Sequence, residues 1–329
     1  MLAVMKGGNI IIPNIGSNIT ALLQRLKLAP AEPPQDFLAR VGTSKHRYYT
    51  AARTAAGQTV AFYARLHANP DARRKFQNEI TVLGRCNRLP LTVARVMPRL
   101  LAHGREPNFE WFTREHITGH PLGHSRHLTA MLKTGMVVPL AQAIAEIGQI
   151  PPRSVGLQLP SFNTAWYAIQ RQCFGLAQRQ AVAAATCRGI GRLVERNRRL
   201  LRAENHSLAH GDLNLGNIIV QRGKVHIVDW ELAQHNNFAY DIGYLWVHLW
   251  QAPRMFRRQL MAAYLERLKP SRLNRFNQLL PVVVAYLAIG GIPYRQHERE
   301  RKIAQQLRRR YHVALLQNCL KGFSRLINT

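Results

Sequence analysis

Acid is scarce in this chain. Against 46 Lys and Arg there are 17 Asp and Glu in 329 residues, a formal charge of +29, and so positive a surface draws anions to it. Nucleic acid, an anionic membrane and a phosphorylated substrate all fit that potential, and so does an arginine-rich surface with no dedicated partner. Cysteine is scarcer still. Cys86, Cys173, Cys187 and Cys319 form no CxxC pair and no zinc-finger spacing with the histidines. If Cys173 and Cys187 share one helix they lie about 21 Å apart at 1.5 Å per residue, beyond disulfide reach, so a reducing cytoplasmic compartment fits best. Long apolar runs are also missing. The longest, Pro281–Ile292, falls short of the roughly 20 residues a bilayer requires, and Asn9, Pro13, Asn14, Ser17 and Asn18 interrupt the apolar start a secretory signal needs. No zinc finger, RNA-recognition signature or aromatic interleaving accompanies the basic runs, so specific nucleic-acid binding is disfavoured. The expected location is the cytoplasm, with attachment at the inner face of the membrane as the option the charge suggests.

What is there is globular: 47% hydrophobic and 19% charged residues, without low-complexity tracts or repeats. Residues 1–35 read as an extension, with a helix near Ile19–Leu28 and a link through Pro30, Pro33 and Pro34 that a helix cannot cross. β-Formers then dominate Phe37–Val41, Arg47–Arg53 and Thr59–Leu66, the last two joined at Ala56-Gly57 as a hairpin. Asn69 or Asp71 caps a helix carrying Phe76, Ile80 and Leu83 at helical spacing. Arg99–Ala102 and Phe109–Glu115 read as further strands. Beyond Thr118-Gly119-His120-Pro121 the pattern is helical, over 136–148 and 164–204, except for a loop at His210–Asn217 and strands at Ile218–Gln221 and Lys224–Asp229. The chain is thus α+β: a small sheet with one helix over residues 36–116, then a larger, mostly helical part over 117–329.

Chemistry concentrates at the interruption. Asp212, Asn217 and Asp229 sit at the edges of the apolar strands Ile218–Val220 and Val225–Val228. Each alone is an ordinary turn residue. Together they supply hard oxygen donors, which suit Mg²⁺, and a carboxylate to spare, which is what phosphoryl transfer from ATP asks of a protein. A hairpin with Asn217 before its first strand and Asp229 after its second leaves Asp212 for the acceptor.

His210-Gly211-Asp212 with Asn217, then Val228-Asp229-Trp230-Glu231 and Tyr240-Asp241-Ile242, resembles the aminoglycoside phosphotransferase and choline kinase superfamily. The resemblance covers roughly residues 37 to 250 and implies a two-lobed, protein-kinase-like fold. It implies that Asp212 is the catalytic base, that Asn217 and Asp229 are Mg²⁺ ligands, that Asp241 anchors the loop and that Glu231 is an active-site carboxylate. It also implies ATP as cofactor, with Glu79 in Phe76-Gln77-Asn78-Glu79-Ile80 paired to a strand cation and Glu115 to Ile117 in the interlobe hinge that carries adenine. In place of the usual strand lysine stands Arg65, which keeps the charge but not the shape. The phosphate loop, Gly42 to Arg47 with Ser44, has a single glycine.

The acceptor implied is a hydroxyl on a small molecule, a sugar or a lipid-linked molecule, with an anionic membrane surface as a further partner. A polycationic acceptor is disfavoured, because Glu79, Asp212, Asp229, Glu231 and Asp241 are already committed. Tyr244, Trp246 and Trp250 fall at helical spacing, as core beneath the loop or as acceptor pocket. His210 reads as a packing residue and His116, His120, His124 and His127 as no metal site. Arg65 and the single-glycine loop support a second reading, a non-catalytic kinase-like protein that binds nucleotide or a partner.

Overall fold

The computed structural model describes residues 4–6, 9–11, 14–41, 47–66, 70–89, 92–123, 125–157, 171, 173, 175, 176, 179, 181–292 and 302–328. The chain divides into two compact units, Met1–Gly119 with Val228–Leu232, and His120–Ile227 with Ala233–Thr329.

The first unit opens with two short paired strands, β1 (Val4–Lys6) and β2 (Asn9–Ile11). Helix α1 (Ile15–Arg25) repeats Ile15, Ile19, Leu22 and Leu23 on one face, and that face packs with Tyr48, Phe62, Phe109 and Trp111 into one core. The unit continues through β3 (Leu28–Pro30), α2 (Pro34–Val41), β4 (Arg47–Thr54), β5 (Thr59–Leu66), α3 (Pro70–Cys86), α4 (Thr92–Val96), β6 (Leu100–Arg105) and β7 (Phe109–Glu115). Five of these strands make an antiparallel sheet in the order β3-β4-β5-β7-β6. The β4–β5 turn closes on Gly57 at φ 76°, a backbone angle that glycine adopts without a Cβ penalty.

Residues 37–41, expected as a strand, belong instead to α2. Pro34 stands at its first position, where a missing N–H costs nothing and φ is already helical. Asp36 lies in the first turn, where the helix dipole favours a negative charge. These start signals outweigh the β-forming Phe37, which packs edge-on against Tyr48 at 5.2 Å.

The second unit contains β8 (His120–Pro121), α5 (Ser125–Lys133), α6 (Val137–Ile147), α7 (Ala184–Arg196), α8 (Arg198–Ala203), β9 (Ser207–Ala209), β10 (Ile218–Gln221), β11 (Lys224–Ile227), β12 (Gln234–Asn236), α9 (Tyr240–His248), α10 (Arg254–Arg267), α11 (Pro270–Gly291), α12 (Lys302–Leu320) and α13 (Phe323–Ile327). Strand β10 pairs with both β11 and β8, while β9 pairs with β12. Trp246, Phe256, Tyr264 and Phe276 are wholly buried, and the Tyr264 hydroxyl reaches the Phe238 carbonyl at 2.7 Å. The second hairpin strand stops at Ile227 and not at Asp229, because Trp230–Leu232 turns into a 3-10 segment.

The cysteine expectation also changes. Cys173 and Cys187 do not lie on one continuous helix: the chain bends at 181–183 before α7 begins, and their thiols are near enough to influence each other. All four cysteines are free and buried. Among the described residues no single helix is long and apolar enough to cross a membrane.

Candidate functional site

Strand β9 delivers the chain to His210, and the loop that follows is pinned from below by α9. Asp241, in the first turn of that helix, accepts the His210 N–H at 2.8 Å and the Gly211 N–H at 3.3 Å. Two orphan donors of a buried loop are satisfied by one side chain. Burial pushes the Asp241 carboxyl up to about 7, although both N–H groups pull it down. Gly211, at φ 85°, makes the turn that a side chain would resist. His210 is wholly buried, and its Nδ1 accepts the Asp212 N–H at 3.3 Å.

Asp212 is half-buried and braced on both carboxylate oxygens. Oδ1 accepts the Tyr244 hydroxyl at 2.6 Å and Asn214 Nδ2 at 3.1 Å. Asn217 Nδ2 donates to the Asp212 carbonyl at 2.8 Å and to Oδ2 at 3.3 Å. Asn214 in turn caps the short turn over Leu215–Asn217, accepting the Gly216 N–H at 2.7 Å. Because the Asn217 amide nitrogen is spent inward, its Oδ1 is the atom left for a cation, and neutral and anionic oxygens are what Mg²⁺ takes. The donor set therefore fits this metal. Asn217 immediately precedes Ile218, which pairs with Ile227, and Asp229 lies two residues further on. Asp229 has φ 69°, a left-handed conformation rare for a non-glycine residue and frequent at functional positions.

In the first unit, the segment carrying Asp229 and Glu231 is held on α3. Asn78 Nδ2 donates to the Glu231 carbonyl at 3.2 Å, and the Trp230 backbone hydrogen-bonds Glu79. Glu79 is pushed up to about 7, chiefly by burial, with Arg114 opposing and Asp229 and Glu231 adding to the rise. Its ion-pair partner is Arg114 of β7 at 3.9 Å, and Arg65 of β5 bonds Glu231 at 3.3 Å instead. This corrects the expected pairing of Glu79 with the β5 cation. Strands β5 and β7 are neighbours, so either arginine is near α3, and Arg114 is held in place by the Tyr63 hydroxyl at 2.6 Å. Burial, the main influence on Arg65, pulls its pKa down, and its Nε is buried without a partner among the described residues. Glu115 ends β7 exposed, with its N–H on the Arg99 carbonyl at 2.8 Å; Ile117 is buried. Ser44 and the rest of Gly42–His46 lie outside the described residues, as does His124. Among the described residues no cluster of three or more His, Cys, Asp or Glu side chains is placed to hold a metal.

Asp212 also forms part of the wall of a cavity of about 380 Å³ within the second unit, together with Tyr244, His248, Trp250, Arg308 and His312. Tyr244 stacks on His248 at 4.6 Å, and His248 Nδ1 contacts the Tyr244 carbonyl at 2.8 Å. Burial pulls both imidazoles down, His312 to about 4. Of the three aromatics singled out in the sequence, Trp246 is core while Tyr244 and Trp250 face the cavity. His248 and His312 escaped sequence reasoning. His312 arrives on α12, remote in sequence from the loop, and nothing local marked it.

A phosphotransferase enzyme family model matches residues 21–274. No curated protein sequence matches the chain. Among solved structures, the chain is similar to aminoglycoside 2'-phosphotransferase-IIIa in its GDP complex, with a TM-score of 0.56 and 14% identity over 93% of this chain and 98% of that one. It is similar to amicoumacin kinase hAmiN in complex with AMP-PNP, Ca²⁺ and Ami, at 0.53 and 12% over 91% and 93%. It is also similar to the microcompartment-associated aminopropanol kinase, at 0.53 and 13% over 92% and 96%. At these identities the likeness is one of kinase-like fold.

Proposed function

Because this chain belongs to the phosphotransferase enzyme family, we propose that it is an ATP- and Mg²⁺-dependent kinase that moves the γ-phosphoryl group to a hydroxyl of a small molecule, a sugar or a lipid-linked acceptor, with Asp212 as catalytic base. The observation that carries this reading is the bracing of Asp212 by Tyr244, Asn214 and Asn217 beside an open cavity.

A base of this kind has to be held in one rotamer with an oxygen facing the acceptor. Three donors fix the Asp212 carboxylate, and the Asp241 bonds to His210 and Gly211 fix the backbone that carries it. The carboxylate then orients the acceptor hydroxyl and takes its proton as the oxygen attacks in line. Asn217 through Oδ1 and Asp229 would hold Mg²⁺, which when bound neutralises charge on the phosphates. Arg65 would stand in for a lysine on the phosphates, with Glu231 setting its position and its spare Nε–H as a donor. Glu115 to Ile117 would carry the adenine edge on the backbone, and Ser44 would approach the phosphates.

The engagement of Arg65 by Glu231 also supports a second reading, in which the chain binds nucleotide or a partner without transferring phosphate. Transfer of labelled γ-phosphate from ATP into fractionated extract, with wild type against Asp212→Ala, decides between them. Label entering a lipid, glycan or metabolite fraction only with Asp212 intact is the expected result. A protein that gains no thermal stability from Mg·ATP would sink the kinase reading.

A further inference from the structure

His248 and His312 both line the cavity beside Asp212, and they are held differently. His312 is buried at 3% exposure, with Nε2 on the Val247 carbonyl at 3.3 Å and Nδ1 closed off from solvent. That ring is spent on packing against α9. His248 is half-buried. Its Nδ1 lies 2.8 Å from the Tyr244 carbonyl, and a carbonyl only accepts, so this nitrogen carries the proton. Burial, the largest influence, pulls the imidazole below its ordinary 6.5, with the Tyr244 carbonyl and the Asp212 carboxylate opposing and Arg308 adding to the fall. Near neutral pH the ring is therefore uncharged and its Nε2 is a bare lone pair. That nitrogen is neither bonded by a described residue nor sealed from solvent.

One rigid side chain sets the place of this lone pair relative to Asp212. Tyr244 and His248 stand one turn apart on α9 and share a face. Their rings stack at 4.6 Å with 22° between planes, and the Tyr244 hydroxyl donates to Asp212 Oδ1 at 2.6 Å. Tyr244 thus touches the carboxylate with its hydroxyl and the imidazole with its ring. Turning the imidazole over would break its bond to the Tyr244 carbonyl, so Nε2 stays directed away from its own helix. The cavity wall therefore carries an accepting nitrogen besides the carboxylate that faces the reacting hydroxyl. A site with such an atom rejects a ligand that lacks the matching donor, because the atom is then left unpaired. A neutral nitrogen offers a lone pair and no charge. It suits a neutral hydroxyl, whereas an ammonium placed there would lose hydration without gaining a counter-charge from this residue.

We propose that His248 is an acceptor-binding residue whose Nε2 receives a hydrogen bond from a second hydroxyl of the molecule whose reacting hydroxyl faces Asp212. The proposal rests on the phosphotransferase reading for the part played by Asp212. It makes the acceptor a molecule with at least two hydroxyls, and it selects against one with a lone hydroxyl or with an ether oxygen in the second place.

The test is ligand-observed NMR titration of the full chain without nucleotide. The probes are cyclohexanol, its 1,2-, 1,3- and 1,4-diols, the methyl ethers of those diols and the matching aminocyclohexanols, which differ only in the second group and where it stands. At least one diol should bind about two- to tenfold tighter than cyclohexanol and than its own methyl ether, the span of one neutral hydrogen bond. His248→Phe, which keeps the ring stack and removes the lone pair, should erase that preference. If the variant does not fold, the wild type still decides: the ¹⁵N resonance of His248 Nε2 should move upfield with the preferred diol and stay put with its ether. Diols no better than cyclohexanol, ethers as good as diols, an aminocyclohexanol tighter than every diol, a preference that survives in folded His248→Phe, or an unmoved Nε2 resonance overturns the proposal. ATP is absent from the titration, so a protein that selects the diol through His248 yet never transfers phosphate keeps this site and loses the phosphotransferase reading.

Discussion

The Tyr244 hydroxyl donates to Asp212 Oδ1 at 2.6 Å. Tyr244 lies one turn along α9 from Asp241, whose carboxylate holds the backbone of His210 and Gly211. One helix thus fixes both the loop and the carboxylate it presents, since residues three apart lie on the same face.

Removing that hydroxyl leaves the loop and frees the carboxylate. Tyr244→Phe is expected to lower the rate of phosphate transfer about tenfold or more, the worth of a hydrogen bond to a charged group. The affinity for Mg·ATP should hardly change, and stability should fall by about 1 kcal/mol. Single-turnover rates beside equilibrium nucleotide binding check this. An unchanged rate would mean that Asp212 needs no such restraint.

His312 gives the protein an acid-sensitive element. Burial first, then the charges of Arg308 and His248, hold its pKa near 4 against an ordinary 6.5. The unfolded chain therefore binds this proton at a pH where the folded chain does not. The associated stability is present above pH 6.5 and is lost as pH falls through 4, amounting to about 3 kcal/mol. Urea unfolding of wild type and His312→Gln between pH 4 and 8 should show the difference between the two curves shifting by that amount in favour of the variant at low pH. Parallel curves would refute the assignment.

Gly291 is expected to resist any side chain. In Gly291→Ala the added methyl meets His312 Cε1 at 2.4 Å, and overpacking of this kind costs about 1–3 kcal/mol. His312→Ala should relieve much of it, so a double-mutant cycle should return a favourable coupling energy. Additive effects would show that the two positions are not in contact.

Sequence reading went furthest where the chemistry is contiguous. His210 to Asn217 and the hairpin after it were legible because the apolar alternation of β10 and β11 brackets polar residues that have no business in a core. Reading failed at residues 37–41, where β-forming side chains hid the helix start at Pro34. It failed again at Cys173 and Cys187, because the bend at 181–183 carries no glycine or proline to announce it. Their two thiols come near each other across that bend.

The sequence by itself determined the family, the loop that presents Asp212, four of the five strands of the sheet and the positive charge, because each is written in neighbouring residues or in composition. Only the tertiary structure decided that Glu79 meets Arg114 while Arg65 meets Glu231, and that Arg308 is buried beside exposed Arg309 and Arg310. The reason is physical. Local pattern fixes which face of an element turns inward, but which side chain meets another across tens or hundreds of residues depends on how close the elements can approach, and at α11 and α12 that rests on one missing Cβ.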